Sequence, residues 1–332
     1  MNIKRKTLDL LTLIAGLSLS VIVTAQTQFP VTIENCGRTV TFEKPVRNAI
    51  VNNVNMAEMV HALGLKPYIK AMTGVTGPVE LHTDFAEKMG DIPELSPRGP
   101  GLELLVRHKP DLFFWGWSYG VNAGGAITPE RLEQYGIHSY ILEESCIRER
   151  DDVPDASLDT LYHDLTNLSL IFGHPENGEA LVTDFKNRIA TIQNKVADQP
   201  KPKVFLFDGT PNDLVTSGSK GMGHAIIEAA GGINVAAEMS TSWAFTSIES
   251  VMRWNPDYLI FRQDAGMEQA IQSVKDHPVL GRLEAVRKGR YTSLTYSEMV
   301  PGVRVIESIE RVARTIHPES FAASEADEAV AL

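Results

Sequence analysis

Reactive machinery is scarce in this sequence. It has no Gly-x4-Gly-Lys-Ser/Thr phosphate loop, no His-Glu-x-x-His and no cysteine–histidine cluster at metal-ligand spacing. Nucleotide hydrolysis and zinc chemistry therefore lack their usual signatures. Basic charge is also in short supply. Lys and Arg number 31 against 42 Asp and Glu, a formal net charge of −11. Such a surface repels nucleic acid and offers anionic lipid no polybasic patch. Beyond residue 25, no apolar run approaches the ~20 residues that a membrane-spanning helix needs.

What is present begins with an export signal. Lys4, Arg5 and Lys6 precede an apolar run at 10–23, and Val23-Thr24-Ala25 sets small residues where a signal peptidase cuts. Residues 1–25 are read as a cleaved signal peptide and the mature chain as periplasmic; the run is too short for the alternative, a retained anchor. Cysteines are few, Cys36 and Cys146, each following a strand-like run. In an oxidising compartment one bridge between them is expected, two buried free thiols being the alternative.

About 300 mature residues exceed what one core usually serves, so two lobes are expected. Short β-rich runs at 49–51, 69–75, 112–115 and 140–142, then at 204–207, 258–261 and 291–294, alternate with helical patterns. That alternation predicts parallel sheets covered by helices. The gap between the two sets is helical over 155–172. It breaks at Gly173-His174-Pro175 and continues as a helix over 176–197, ~33 Å long and able to run from lobe to lobe. The expected organisation is 26–154 and 201–318 as two α/β lobes with Rossmann-like topology, 155–200 as the helical connection, and 319–332 as an acidic, disordered tail.

An internal repeat supports this division. Leu102-Glu103, then six residues, then Pro110-Asp111 and an apolar strand recurs as Ile248-Glu249 with Pro256-Asp257. A carboxylate suits the positive end of a short helix, and Pro-Asp stops that helix and turns it into a strand. The two copies are read as equivalent elements of two related lobes.

Ligands of such sheets sit at the carboxyl ends of the strands. The segments expected there are rich in rings: Trp115, Trp117 and Tyr119 after the strand from 112, Trp243 before the second repeat, and Tyr296 and Arg262 at strand ends. Aromatic walls with a few cations suit a bulky, planar or anionic ligand. The glycine-rich stretch from Gly218 to Gly223 superficially suggests a phosphate cradle, but its spacing fits neither common fingerprint.

Over nearly all its mature length the chain resembles the class III periplasmic binding proteins that receive ferric siderophores, haem or vitamin B12 for ABC importers. The resemblance lies in Arg47-Asn-Ala-Ile-Val, Gly101-Leu-Glu103 with Lys109-Pro-Asp111, and the bridging helix. It continues through Thr216-Ser-Gly218, Ala230-Gly-Gly-Ile-Asn234, Ser247-Ile-Glu249 with Asn255-Pro-Asp257, and Pro301-Gly-Val-Arg304. It implies that Glu103 and Glu249 project from the lobes to meet arginines of an inner-membrane permease dimer driven by ATPase subunits. It further implies a monomeric receptor without a cofactor, whose ligand is an Fe(III)–siderophore complex held by the tryptophans with Arg98, Arg262 and Arg304. Catecholate or carboxylate types are expected ahead of neutral hydroxamates. His224 and Tyr296 are the candidates for direct iron ligation. A haem or cobalamin receptor is the alternative within the family, and a chelatase or lyase on a similar scaffold the alternative outside it.

Overall fold

The computed structural model describes residues 27–77, 81–150, 152–263 and 267–322. The expected signal peptide and residues 323–332 of the expected tail lie outside the described residues.

A hairpin of β1 (Val31–Asn35) and β2 (Arg38–Phe42) precedes the first sheet. That sheet contains β3 (Ala49–Asn52), β4 (Ile69–Thr73), β5 (Glu94–Ser96), β6 (Leu112–Trp115) and β7 (His138–Ile141). Their order is β5-β4-β3-β6-β7, all parallel. The second sheet is built on β8 (Lys203–Thr210), β9 (Asp213–Ser217), β10 (Ile233–Asn234), β11 (Trp243–Phe245), β12 (Tyr258–Gln263) and β13 (Tyr291–Thr295). Its path is β11-β9-β8-β12-β13, with β10 beside the start of β8. Here β8, β12 and β13 run parallel while β9 and β11 run antiparallel. The alternation predicted seven of the parallel strands and missed the short β5 and β10. It also missed the antiparallel β9 and β11, which are short and lie toward one edge; β9 follows β8 through a hairpin with no helix between them.

The repeat is structural. The helices Leu102–His108 and Ile248–Trp254 each start from an extended residue and bury a single side chain, Leu105 or Val251. Each ends on a left-handed residue, Lys109 or Asn255. The aspartate that follows performs the same task twice. Asp111 accepts the backbone N–H of Arg47 at 3.1 Å and Asp257 that of Lys203 at 2.8 Å, in each case at or just before the central strand of its sheet. The Pro-Asp pair therefore stops a helix and pins the neighbouring strand.

Between the sheets lie the helices Leu158–Phe172 and Pro175–Val196. The second starts against the first lobe, where the Asn177 amide donates to the Leu63 carbonyl at 2.7 Å. It ends against the second, where Val196 packs on Gly231. One hydrophobic core runs from the first sheet through these helices into the second, and a separate cluster covers the other face of each sheet. Phe321, placed by the sequence in the disordered tail, is buried in the shared core. Its ring also meets the ammonium of Lys195.

Cys36 and Cys146 form the expected bridge, with Cα atoms 5.1 Å apart. It ties the turn of the β1–β2 hairpin to the turn after β7. Asn35 reinforces the join by exchanging two 2.7 Å hydrogen bonds with the backbone of Ile141.

Candidate functional site

Every parallel strand except the two-residue β10 delivers a residue to one interlobe cleft at its carboxyl end. From the first lobe come Asn53 after β3, Thr76 after β4, Arg98 after β5, Trp117 to Gly120 after β6 and Glu144 after β7. From the second come Asp208 in β8, Arg262 in β12 and Tyr296 after β13. The cleft has two adjoining parts of about 1010 and 250 Å3 that share Ser118, Tyr119 and Tyr296. The smaller part is walled by rings, with Trp117 and Tyr119 on one lobe and Trp243 on the other.

The rings are held in place by polar contacts. The Trp117 indole N–H donates to Glu149 at 2.9 Å, its backbone N–H donates to the Ser145 hydroxyl at 3.1 Å, and Trp115 meets it edge-on at 4.5 Å. Tyr119 donates its hydroxyl to Glu144 at 2.5 Å. Tyr296 opens a short helix capped by Thr295 and Glu298 and lies across the cleft from Asn53. The Arg262 guanidinium sits 5.9 Å from the Tyr296 ring centre and 3.2 Å from Asp208. The residues fixing the rings are thus themselves bonded, which limits the entropy lost when a ligand docks.

The family profile of the periplasmic binding proteins matches residues 50–296. The chain belongs to that family. The fold agrees: a periplasmic binding protein of Veillonella parvula superposes with a TM-score of 0.75 at 26% identity, over 87% of this chain and 97% of that one. Among curated relatives, the ABC transporter substrate-binding lipoprotein YvrC of Bacillus subtilis is 23% identical over 88% of this chain and 87% of its own length. The vitamin B12-binding protein of Pectobacterium atrosepticum is 27% identical over 61% of this chain and 67% of its own. These relatives are substrate-binding components of transport, and such components work with a membrane permease and an ATPase.

In this binding protein the cleft gathers Trp117, Tyr119, Trp243, Arg262, Tyr296 and Arg98. Three sequence candidates lie elsewhere. Trp115 is 0% exposed and stacks on Phe113 beneath the outer face of the first sheet; alternation along β6 turns it away from the cleft. Arg304 does not line the cleft but bridges the lobes beside it. Its Nε lies 2.8 Å from Glu58 and its Nη2 2.6 Å from Asp84, both in the first lobe. His224 lies in the helix Met222–Ala229, 3.5 Å from the Asn234 amide and outside the lining of the cleft. Burial, against an opposing hydrogen bond from Asn53, pushes the Tyr296 phenol above the usual tyrosine range. Among the described residues no group of three or more His, Cys, Asp or Glu is placed to hold a metal.

The sequence reading missed Glu144 and Asp208. Asp208 had a signal, a carboxylate directly after an apolar strand; Glu144 had none. The Glu144 carboxylate spans the lobes, accepting the Tyr119 hydroxyl and, at 2.8 Å, the backbone N–H of Met222 at the start of a helix. Burial pushes it up to about 6, against the hydrogen bonds from Tyr119 and Met222 and the nearby Arg148. Folding thus favours the protonated form. The stability this group contributes is full below about pH 4 and is lost as pH rises through about 6, a change of about 2 kcal/mol. Urea unfolding of wild type and Glu144→Gln across that window checks the sign: the wild type should weaken relative to the variant as pH rises. A difference that does not vary with pH contradicts it.

Gly116-Trp117-Ser118-Tyr119-Gly120 spells Gly-x-Ser-x-Gly, the pentad of hydrolase nucleophile turns. Ser118 even takes a positive φ of 69°. The context is different, however. The chain folds back at once, with the Ser118 N–H donating to the Val121 carbonyl at 2.9 Å, and no helix follows until Pro129. Neither cavity lined by Ser118 includes a histidine, so the hydroxyl lacks the base that such a mechanism requires.

Proposed function

We propose that the chain is the exported, periplasmic receptor of an ABC importer, and that it captures a ferric siderophore between its lobes and hands it unchanged to the permease. The observation that carries this reading is the cleft itself. Strands of two lobes joined through one long helix point their ends at a cleft whose two adjoining parts, about 1010 and 250 Å3, together offer the volume a large chelate needs, the smaller part being walled by rings. Most of the charges inside the cleft are matched: Arg262 is paired with Asp208, Arg148 and Glu144 line the same wall, and Arg98 adds one positive charge in the larger part. That balance favours a chelate of low net charge, such as a ferric hydroxamate, over the trianionic catecholates that the arginines alone suggested. It also favours a second reading, a corrinoid ligand, to which the name of the Pectobacterium relative points.

Glu103 and Glu249 fit the role of permease anchors. They occupy equivalent places in the two lobes, and Glu103 is 87% exposed, with Arg107 one turn away at 2.9 Å.

The test is a fluorescence titration of the mature protein with a ferric hydroxamate, a ferric catecholate, haemin and cyanocobalamin. Saturable quenching with the ligand recovered intact supports the receptor reading; chemical conversion would point to a chelatase or lyase. Trp117→Ala and Trp243→Ala should each weaken binding by about 1–3 kcal/mol, roughly 5- to 150-fold in Kd. Equal affinity in wild type and both variants would place the ligand elsewhere.

A further inference from the structure

The cleft has a third branch. A cavity of about 650 Å3 opens in the second lobe between the β8–β9 hairpin, the end of β12 and the helix Met267–Asp276. Its lining shares Asp208 with the ring-walled part and Arg262 with the larger part. The Asp208–Arg262 pair therefore stands between this cavity and both parts of the cleft.

The chemistry of this branch differs from that of the rings. Its floor is the buried pair Phe207 and Phe261. Its walls carry uncharged hydrogen-bonding groups: Asn212 on the hairpin, Gln269 and Ser273 on the helix, and His277 beyond it. His277 Nδ1 accepts the N–H groups of Val279 and Leu280, both at 3.2 Å, which leaves the ring proton on Nε2 as a donor. Ser273 gives its proton to the Ala270 carbonyl at 2.7 Å, which leaves its oxygen as an acceptor. The one cation and the one carboxylate of the lining face each other at 3.2 Å, so neither an anion nor a cation finds an unmatched partner. The hairpin wall admits no side chain at its first bend. Gly209 has φ +102°, and a Cβ there would meet the Asp213 carbonyl at 2.2 Å.

We infer that this branch is a subsite for an uncharged, amide- or hydroxyl-bearing arm of the ligand, while the chelated metal occupies the ring-walled part. The inference rests on the receptor reading and narrows it: the substrate is a chelate with a polar appendage, not a compact one such as ferric citrate. The Ser273→Trp substitution fills the branch from an exposed helix position and leaves the ion pair and the rings in place. Affinities of wild type and variant are compared for three probe pairs, each with and without an arm. The pairs are a peptide-linked ferric trihydroxamate against ferric acetohydroxamate, a serine-linked ferric tricatecholate against ferric catechol, and cyanocobalamin against dicyanocobinamide. For whichever pair binds, Ser273→Trp should weaken the armed member tenfold or more and leave the compact member unchanged. Gln269→Ala should weaken the armed member to a smaller degree. Equal affinity of Ser273→Trp and wild type for the armed probe overturns the subsite and leaves the receptor reading standing. Binding of none of the six probes by the wild type overturns both.

Discussion

Replacing Glu103 and Glu249 together with alanine is expected to abolish ligand uptake while leaving the fold and the affinity for ligand intact. The expectation comes from the repeat. The two helices begin, bury and end alike, and each is followed by an aspartate that pins the central strand of its sheet. They therefore present their glutamates at corresponding places on the two lobes, so that a two-fold permease can grip both. Neither glutamate lines the cleft. Nor does either sustain the fold: a solvated carboxylate near a helix start contributes little, and the Glu103–Arg107 pair is an exposed surface contact of small value. Single substitutions should be milder because one anchor remains. Changing both to arginine should be worse than changing both to alanine, since like charges facing each other across an interface cost several kcal/mol. Uptake through the reconstituted transporter, beside titration of the same variants, is the check. Normal transport by Glu103→Ala/Glu249→Ala would return both residues to helix-opening duty.

The second large effect is expected from the disulfide. Cys36 and Cys146 are 110 residues apart in sequence, and closing a loop of that length removes about 4–5 kcal/mol of chain entropy from the unfolded state. Cys36→Ser/Cys146→Ser should lower the unfolding free energy by up to that amount. The Asn35–Ile141 exchange remains to hold the hairpin, so the native fold should survive with its cleft formed. Urea titration of both proteins under oxidising conditions decides the matter. A loss well under 1 kcal/mol would mean that the unfolded chain is already confined without the bridge.

The sequence revealed most where structure is set locally. Alternating apolar runs and helical stretches located seven of the strands that form the parallel parts of the sheets and missed the short β5 and β10, and Glu-x6-Pro-Asp exposed the relation of the lobes because helix start, helix stop and strand pin lie within ten residues. Face and partner were harder to read. In β6 all four side chains are buried, so the sequence gives no sign of which side Trp115 takes, and it takes the outer one. Arg304 resembles a ligand arginine until its partner Glu58, 246 residues away, is in view. Glu144 carries no local mark, since its role depends on Met222 in the other lobe. Pairing of Arg262 with Asp208 on the neighbouring strand of the second lobe is also what separates the ligand expected from the arginines alone from the one the cleft favours.

The central claim, that a metal chelate is held between the lobes against the tryptophans, has a direct test in metal-edge anomalous diffraction. Crystals of the mature protein would be grown with a ferric trihydroxamate, or with cyanocobalamin if that binds more tightly. The account predicts a single iron or cobalt peak inside the cleft, flanked by Trp117 and Trp243 and with no protein atom in its coordination sphere. A peak outside the cleft, or a cleft without one at saturating ligand, would contradict it.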